Sequence, residues 1–241
     1  MINVSDNFET FLSLVSGNEM IKDGLFEFLD DNELFCSAMN EDNTVRAIVS
    51  TKNSNYNEPN IIGIPDISLL KKMLSSLNKE KTLDFFDDRL EISSTDMKYK
   101  YLTCSSELVN KPPEKSKRIS DSIKFNLEFK LTNKQIAQLL TGMQLIDTYK
   151  INIKEDTGNV VFTVGEEKFN NFVYNISENV EGDDTIDLFF NKEYLQMVLT
   201  IAKKFKSANV CIMPKILGIK LYDEEYKVNC QYWLSPIVSE E

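Results

Sequence analysis

Histidine is absent from this sequence, which removes the commonest general base and the commonest transition-metal ligand together. Most hydrolytic mechanisms lose their usual residue. Glycine is scarce, with 8 residues and no P-loop or Rossmann pattern among them, so nucleotide chemistry is weakened as well. The four cysteines, Cys36, Cys104, Cys211 and Cys230, lie far apart without a C-x-x-C pair. Neither a zinc site nor a dense disulfide framework is suggested, and buried thiols are the expectation. No metal and no cofactor is implied. No apolar run approaches the roughly 20 residues needed to span a bilayer, and Met1 to Asp6 lacks the basic and apolar regions of a signal peptide. A soluble, intracellular chain with no membrane partner is expected.

What is present is ample material for a core: 42% hydrophobic residues, including 15 Phe and 9 Tyr, in 241 residues. That length fits one large domain or two of about 120 residues. The net charge of −11 argues against indiscriminate nucleic-acid binding, whose affinity comes from neutralising phosphates with Lys and Arg. The positions of the 27 basic residues therefore matter more than the total.

Four apolar stripes carry the i, i+3, i+4, i+7 spacing of an amphipathic helix. They are Phe8, Phe11, Leu12, Val15; Leu70, Met73, Leu74, Leu77; Ile136, Leu139, Leu140, Met143; and Leu195, Val198, Leu199, Ala202. The first pair starts 62 residues apart and the second pair 59, with β-rich sequence between partners. A unit of helix, strands, helix, strands is thus used twice, and at this length two copies read as two similar domains. The fold class is α+β: two similar domains of antiparallel sheets with two helices each.

The first helix is expected over 6–16, with Ser5 or Asp6 as N-cap and Gly17 ending it. Strands follow at 25–29, 34–39 and 44–50, separated by Asp, Asn and Glu turn clusters. Pro65 and Asp66 introduce a second helix to about Asn78, and strands return at 82–86, 89–93 and 98–104. Residues 110–121, NKPPEKSKRISD, read as an extended, solvated connector, which sets the domains at 1–109 and 122–241. In the second half a strand is expected at 123–129 and a helix capped by Thr132. Strands at 149–154, 160–164, 169–176 and 185–190 come next, then a helix capped by Asn191 and strands at 209–213, 216–222 and 227–234.

A helix turns about 100° per residue, so the face opposite each stripe can be read off. It holds Ser68, Lys72, Ser75 and Lys79 on the second helix, and Lys134, Gln138, Thr141 and Leu145 on the third. On the fourth it holds Glu193, Met197, Thr200 and Lys204. Lys71 and Lys203 flank these faces. The first helix shows Asp6, Thr10, Ser13 and Gly17, with no basic residue. Lysine is an ordinary solvated helix residue. It also suits a surface that holds a polyanion without gripping it, because a hydrated point charge makes no rigid bidentate contact.

The run LTNKQIAQLLTGMQLIDTYKINI, Leu131 to Ile153, resembles the opening of a phage sliding clamp's second domain. The ending YWLSPIVSEE, Tyr232 to Glu241, is similar to the terminus of the proliferating-cell nuclear antigen. By this resemblance the chain is identified as a member of the DNA polymerase sliding clamps, with the DNA-clamp fold. The resemblance implies three subunits in a closed ring, helices lining a central hole, and duplex DNA passing through it without sequence readout. A DNA polymerase and a clamp loader are the implied partners. Carried onto this chain, the channel lining becomes Lys71, Lys72, Lys79, Lys134, Lys203 and Lys204. A groove for partner peptides would use Met39, Ile119, Ile216, Leu217, Gly218, Trp233, Ser235 and Pro236. The connector carries mainly KPPEKSKR where the cellular clamp offers hydrophobic residues to partners. A composition heavy in Asn, Lys and Ile fits a phage or virus, which sets the expected location as the cytoplasm of a bacterial host.

Two other readings stay open. The acidic pairs Asp30–Asp31, Asp87–Asp88 and Asp183–Asp184 could hold Mg²⁺ in a phosphoryl-transfer or nuclease site, although each also fits a hairpin turn. Alternatively the chain is a duplicated interaction module that oligomerises without encircling DNA, its lysine faces ordinary surface and Trp233 part of a core.

Overall fold

The computed structural model describes residues 2–3, 6–29, 32–52, 60–77, 80–113, 124–166, 168–177, 180, 186–225 and 227–237. The chain divides into two compact units, Met1–Arg118 with Asp223–Cys230, and Ile119–Tyr222 with Gln231–Glu241.

In the first unit, β2 (Gly24–Phe28), β3 (Glu33–Met39) and β4 (Val45–Lys52) form an antiparallel meander. An additional strand, β5 (Asn60–Ile64), pairs with the other edge of β2. It was not expected, because NIIGI has no polar alternation and follows Pro59. A second sheet has the order β1-β6-β7-β8, from β1 (Ile2–Asn3), β6 (Thr82–Phe85), β7 (Arg89–Ser93) and β8 (Lys98–Leu102).

Helices α1 (Asp6–Ser16) and α2 (Ile67–Ser75) pack on each other, and α1 covers β3 and β4. The stripe Phe8, Phe11, Leu12, Val15 is buried throughout. Gly17 follows at φ +54°, where a residue without Cβ ends a helix at least cost. The Asp66 side chain accepts from Leu69 N at 2.8 Å and caps α2. That helix stops at Ser75, three residues short of the expected Asn78.

The second unit repeats the plan. Strand β9 (Leu127–Thr132) pairs with β14 (Ser207–Met213), which pairs with β15 (Ile216–Asp223). The last strand, β16 (Val228–Leu234), is divided between the units after Cys230, and Gln231–Leu234 belong to the second. The expected strand at 123–129 is displaced toward the C-terminus. Leu127, Phe129 and Leu131 are the residues that alternate inward, while Glu128, Lys130 and Thr132 are exposed.

The other sheet has the order β12-β11-β10-β13, from β10 (Lys150–Asp156), β11 (Asn159–Gly165), β12 (Asn171–Ile176) and β13 (Asp187–Asn191). Thr157 and Gly158, both at positive φ, make the two-residue turn between β10 and β11. Helix α3 (Asn133–Leu145) opens with a capping box between Thr132 and Gln135. Helix α4 (Lys192–Ala202) opens with Asn191 accepting from Tyr194 N at 3.2 Å. Each unit is α+β with antiparallel sheets and two helices. Among the described residues no helix is long and apolar enough to cross a membrane.

Candidate functional site

The lysines read from the helix faces divide by environment. Lys72 is exposed in the last turn of α2, where the negative end of the helix dipole favours a cation. Lys71 beside it is half-buried and donates to Ser16 Oγ at 3.3 Å, tying α2 to the end of α1. Lys79 lies outside the described residues. Lys203 and Lys204 are exposed, but α4 ends at Ala202. They therefore form the C-cap and the following turn instead of extending a helix face, a correction to the periodic reading. Lys203 N donates to the Leu199 carbonyl and Lys204 N to that of Ile201.

Lys134 is different. It is exposed in the first turn of α3, a turn with no acidic residue, where the dipole disfavours a cation. The helix gains nothing from a charge there.

Helix α1 offers no exposed side chain from Asn7 to Ser16. Its half-buried Glu9 accepts from Lys81, whose side chain is only 11% exposed. Lys81 lies beyond any helical stripe, so periodicity could not find it.

The residues expected to line a partner groove also separate. In the first unit Met39 is half-buried at the end of β3, cross-strand from Arg46. Arg46 donates from Nε and Nη2 to Ser37 Oγ at 3.0 and 2.9 Å, and burial pulls its pKa down to about 10. Ile119 lies outside the described residues.

In the second unit Trp233 is 1% exposed, stacked on Phe125 and lying against Gly218. Its Nε1 donates to Gln231 Oε1 at 3.2 Å. Leu217 and Gly218 are buried as well. Trp233, Leu217 and Gly218 thus sit beneath the surface, and Ile216, Ser235 and Pro236 are the members of this set with accessible area. Ile237, next after Pro236, donates from N to the Phe189 carbonyl at 2.7 Å.

Asp87 and Asp88 lie in the β6–β7 turn, which is closed by Phe86 N donating to the Arg89 carbonyl at 3.0 Å. Asp88 accepts from Arg89 Nη1 at 2.9 Å, and that pairing holds its carboxyl below the usual range. Asp30, Asp31, Asp183 and Asp184 lie outside the described residues. Among the described residues no group of His, Cys, Asp and Glu is arranged to hold a metal ion.

No protein-family model matches the chain, and no curated protein sequence does. Solved structures do. The structure of the C-terminal region of FEN-1 bound to A. fulgidus PCNA contains a chain that aligns with TM-score 0.79 at 14% identity, covering 100% of both chains. The fold is that of the PCNA sliding clamps. PCNA from Entamoeba histolytica aligns with TM-score 0.74 at 13% identity over 98% of each chain. A chain of the PCNA2–PCNA3 complex from Sulfolobus tokodaii aligns with TM-score 0.73 at 11% identity, again over 98% of each. The clamp fold accounts for the duplication, since both the helix pair and the sheets of each unit fall within the aligned length.

Proposed function

We propose that this chain is a sliding clamp, a processivity factor that encircles duplex DNA and tethers a replicative polymerase. The observation that carries the reading is the clamp fold over the whole chain. Lys72 and Lys134, exposed on α2 and α3, support it further. In this role the protein makes and breaks no bonds. A closed ring cannot leave duplex DNA sideways, so weak phosphate contacts suffice, and an acidic exterior discourages DNA elsewhere. Sliding needs no base contacts.

Three copies would close the ring head to tail. The edge strands support this, because β8 ends one sheet and β12 ends another, presenting exposed Leu102 and Val173. Edge strands with unused backbone groups are templates for pairing with another chain. A clamp loader would open the ring, and partner peptides would dock on Ile216, Ser235 and Pro236. The domain limits proposed are 1–109 and 122–241, joined by 110–121. Composition supports a phage source and the cytoplasm of a bacterial host.

The test is retention on DNA. With a loader and a polymerase, the chain should stay on nicked circular DNA and be lost when the circle is cut. Replacing Lys72, Lys134 and Lys204 together with Glu should reduce that retention while mass photometry still finds trimers. Function intact in the triple variant would favour the interaction module, and a monomer at all concentrations with no retention would sink the clamp.

A further inference from the structure

An aromatic and cationic surface lies on the second unit outside the residues assigned above. The β10–β13 register pairs Asn152 with Phe189 and Ile151 with Phe190. Alternate side chains share a face, so Lys150, Asn152 and Phe189 point away from buried Ile151, Ile153 and Phe190. Tyr149, just before β10, is 67% exposed, and Phe189 is 37% exposed. The Lys150 ammonium sits 5.1 Å from the Phe189 ring centroid and 5.9 Å from that of Tyr149, within cation–π range of both.

This surface adjoins the C-terminal segment. Phe189 supplies the carbonyl that receives Ile237 N, so the strand carrying the exposed ring also holds the residue next to Ser235 and Pro236. The backbone around it is fixed too: Lys192 N donates to the Tyr149 carbonyl at 2.9 Å, and Lys192 Nζ to that of Ile146 at 2.7 Å.

We propose that Tyr149, Lys150 and Phe189 form a docking step for an extended partner peptide that carries a carboxylate next to an apolar residue. The proposal rests on the partner-docking reading of Ser235 and Pro236 and extends that site along β13. The carboxylate meets the Lys150 ammonium, and the apolar neighbour covers the two rings. Rigid aromatic side chains give contact area at low entropic cost and are typical anchors of protein interfaces.

Single-stranded nucleic acid also favours aromatic rings with cations, but it needs a basic track for its backbone. Here Lys150 and exposed Lys154 share one face of β10, but Lys154 lies cross-strand from exposed Asp187, which also accepts from Asn152 Nδ2 at 2.7 Å, and exposed Asp147 comes two residues before Tyr149. With an acid opposite Lys154, the face offers Lys150 to one negative charge and no row of cations to a row of phosphates.

The test uses the full-length chain and two fluorescein-labelled peptides, GILEFEG and GILQFQG, followed by fluorescence anisotropy at low salt. The Glu peptide should bind about three- to fivefold tighter, the range of a partly exposed ion pair. Lys150→Gln should erase the difference, Lys150→Arg should keep it, and Phe189→Ala should weaken both peptides with the circular dichroism spectrum unchanged. Equal affinity for the two peptides, binding of neither, or tighter binding of labelled decathymidine would overturn the proposal. Pro236→Glu probes the parent reading separately. Wild-type binding of the Glu peptide by that variant would overturn docking at Ser235 and Pro236, whereas loss of the charge preference alone leaves that site standing.

Discussion

The Trp233 indole occupies the space that a side chain at Gly218 would need: a Cβ built there falls 2.4 Å from Trp233 Cζ3. Such a contact forces the indole or the strand to move, and overpacking of this kind typically costs about 1–3 kcal/mol. Gly218→Ala should therefore lower the urea midpoint, followed by fluorescence of this one tryptophan in the chain. A shifted emission maximum in the folded variant would report the displaced ring, and an unchanged midpoint would show that the ring yields without cost.

Tyr101 on β8 holds the start of α2. Its hydroxyl donates to the Asp66 carbonyl at 2.8 Å and accepts from Asp66 N at 2.9 Å. Tyr99 hydroxyl meets Ser76 Oγ at 3.0 Å, at the other end of the helix. Tyr101→Phe leaves both Asp66 groups without this partner and should destabilise the first unit by about 1–3 kcal/mol. Tyr99→Phe, at an exposed bond, should cost much less. Equal losses in the two variants would contradict this ranking.

Stability should fall on the alkaline side. Burial pushes the Cys211 thiol up to about 12 from an ordinary 9.0 and moves the Tyr101 phenol above its usual range in the same direction. The folded state keeps these protons while the unfolded chain releases them, so the unfolded state binds fewer protons and stability decreases with pH. The contribution of Cys211 is complete below its unfolded value and disappears as the pH rises through about 12. Denaturation midpoints taken from about pH 8 to about pH 11 should decline, and Tyr101→Phe should flatten the upper part of the curve. A flat profile in the parent protein would refute the argument.

Lys134 and Lys203 should behave oppositely in stability and alike in DNA retention. Lys134→Gln removes a cation from a helix start and should raise the melting temperature slightly. Lys203→Gln removes one from a helix end and should lower it. Both should weaken retention on nicked circular DNA at low salt. A lysine whose removal changes only the melting temperature has a structural role alone.

Much of the architecture was legible because burial imposes periodicity. Each stripe from Phe8 to Ala202 marks the inward side of a helix, although Leu77 falls past the end of α2, and Thr132 and Asn191 announce helices through side chains that accept an orphan N–H. Strand β5 escaped because a strand buried on one part of its length and exposed at Asn60 and Ile61 shows no alternation. Periodicity carries no stop signal, so it extends the α4 face to Lys204 with Lys203 beside it, whereas α4 ends at Ala202 without a glycine or proline. The surface at Phe189 needed the cross-strand register, which couples residues almost 40 positions apart. Trp233 could equally have been core or groove from its sequence context, and only the packing against Gly218 and Phe125 separates the two.

Gly142 in the last turn of α3 lies where any side chain would collide with Phe172 of β12, a built Cβ falling 2.3 Å from the ring. Alanine would suit the isolated helix better by about 1 kcal/mol, so α3 forgoes intrinsic helicity in favour of close contact with a sheet edge. Tyr174, two residues along β12, adds a hydroxyl bond to Gln138 Oε1 at 2.8 Å. Helix and edge strand thereby become one cooperative unit. Fraying of β12 would expose the weak point of α3 at the same moment, and backbone amides in both should exchange with solvent through a shared opening rather than independently.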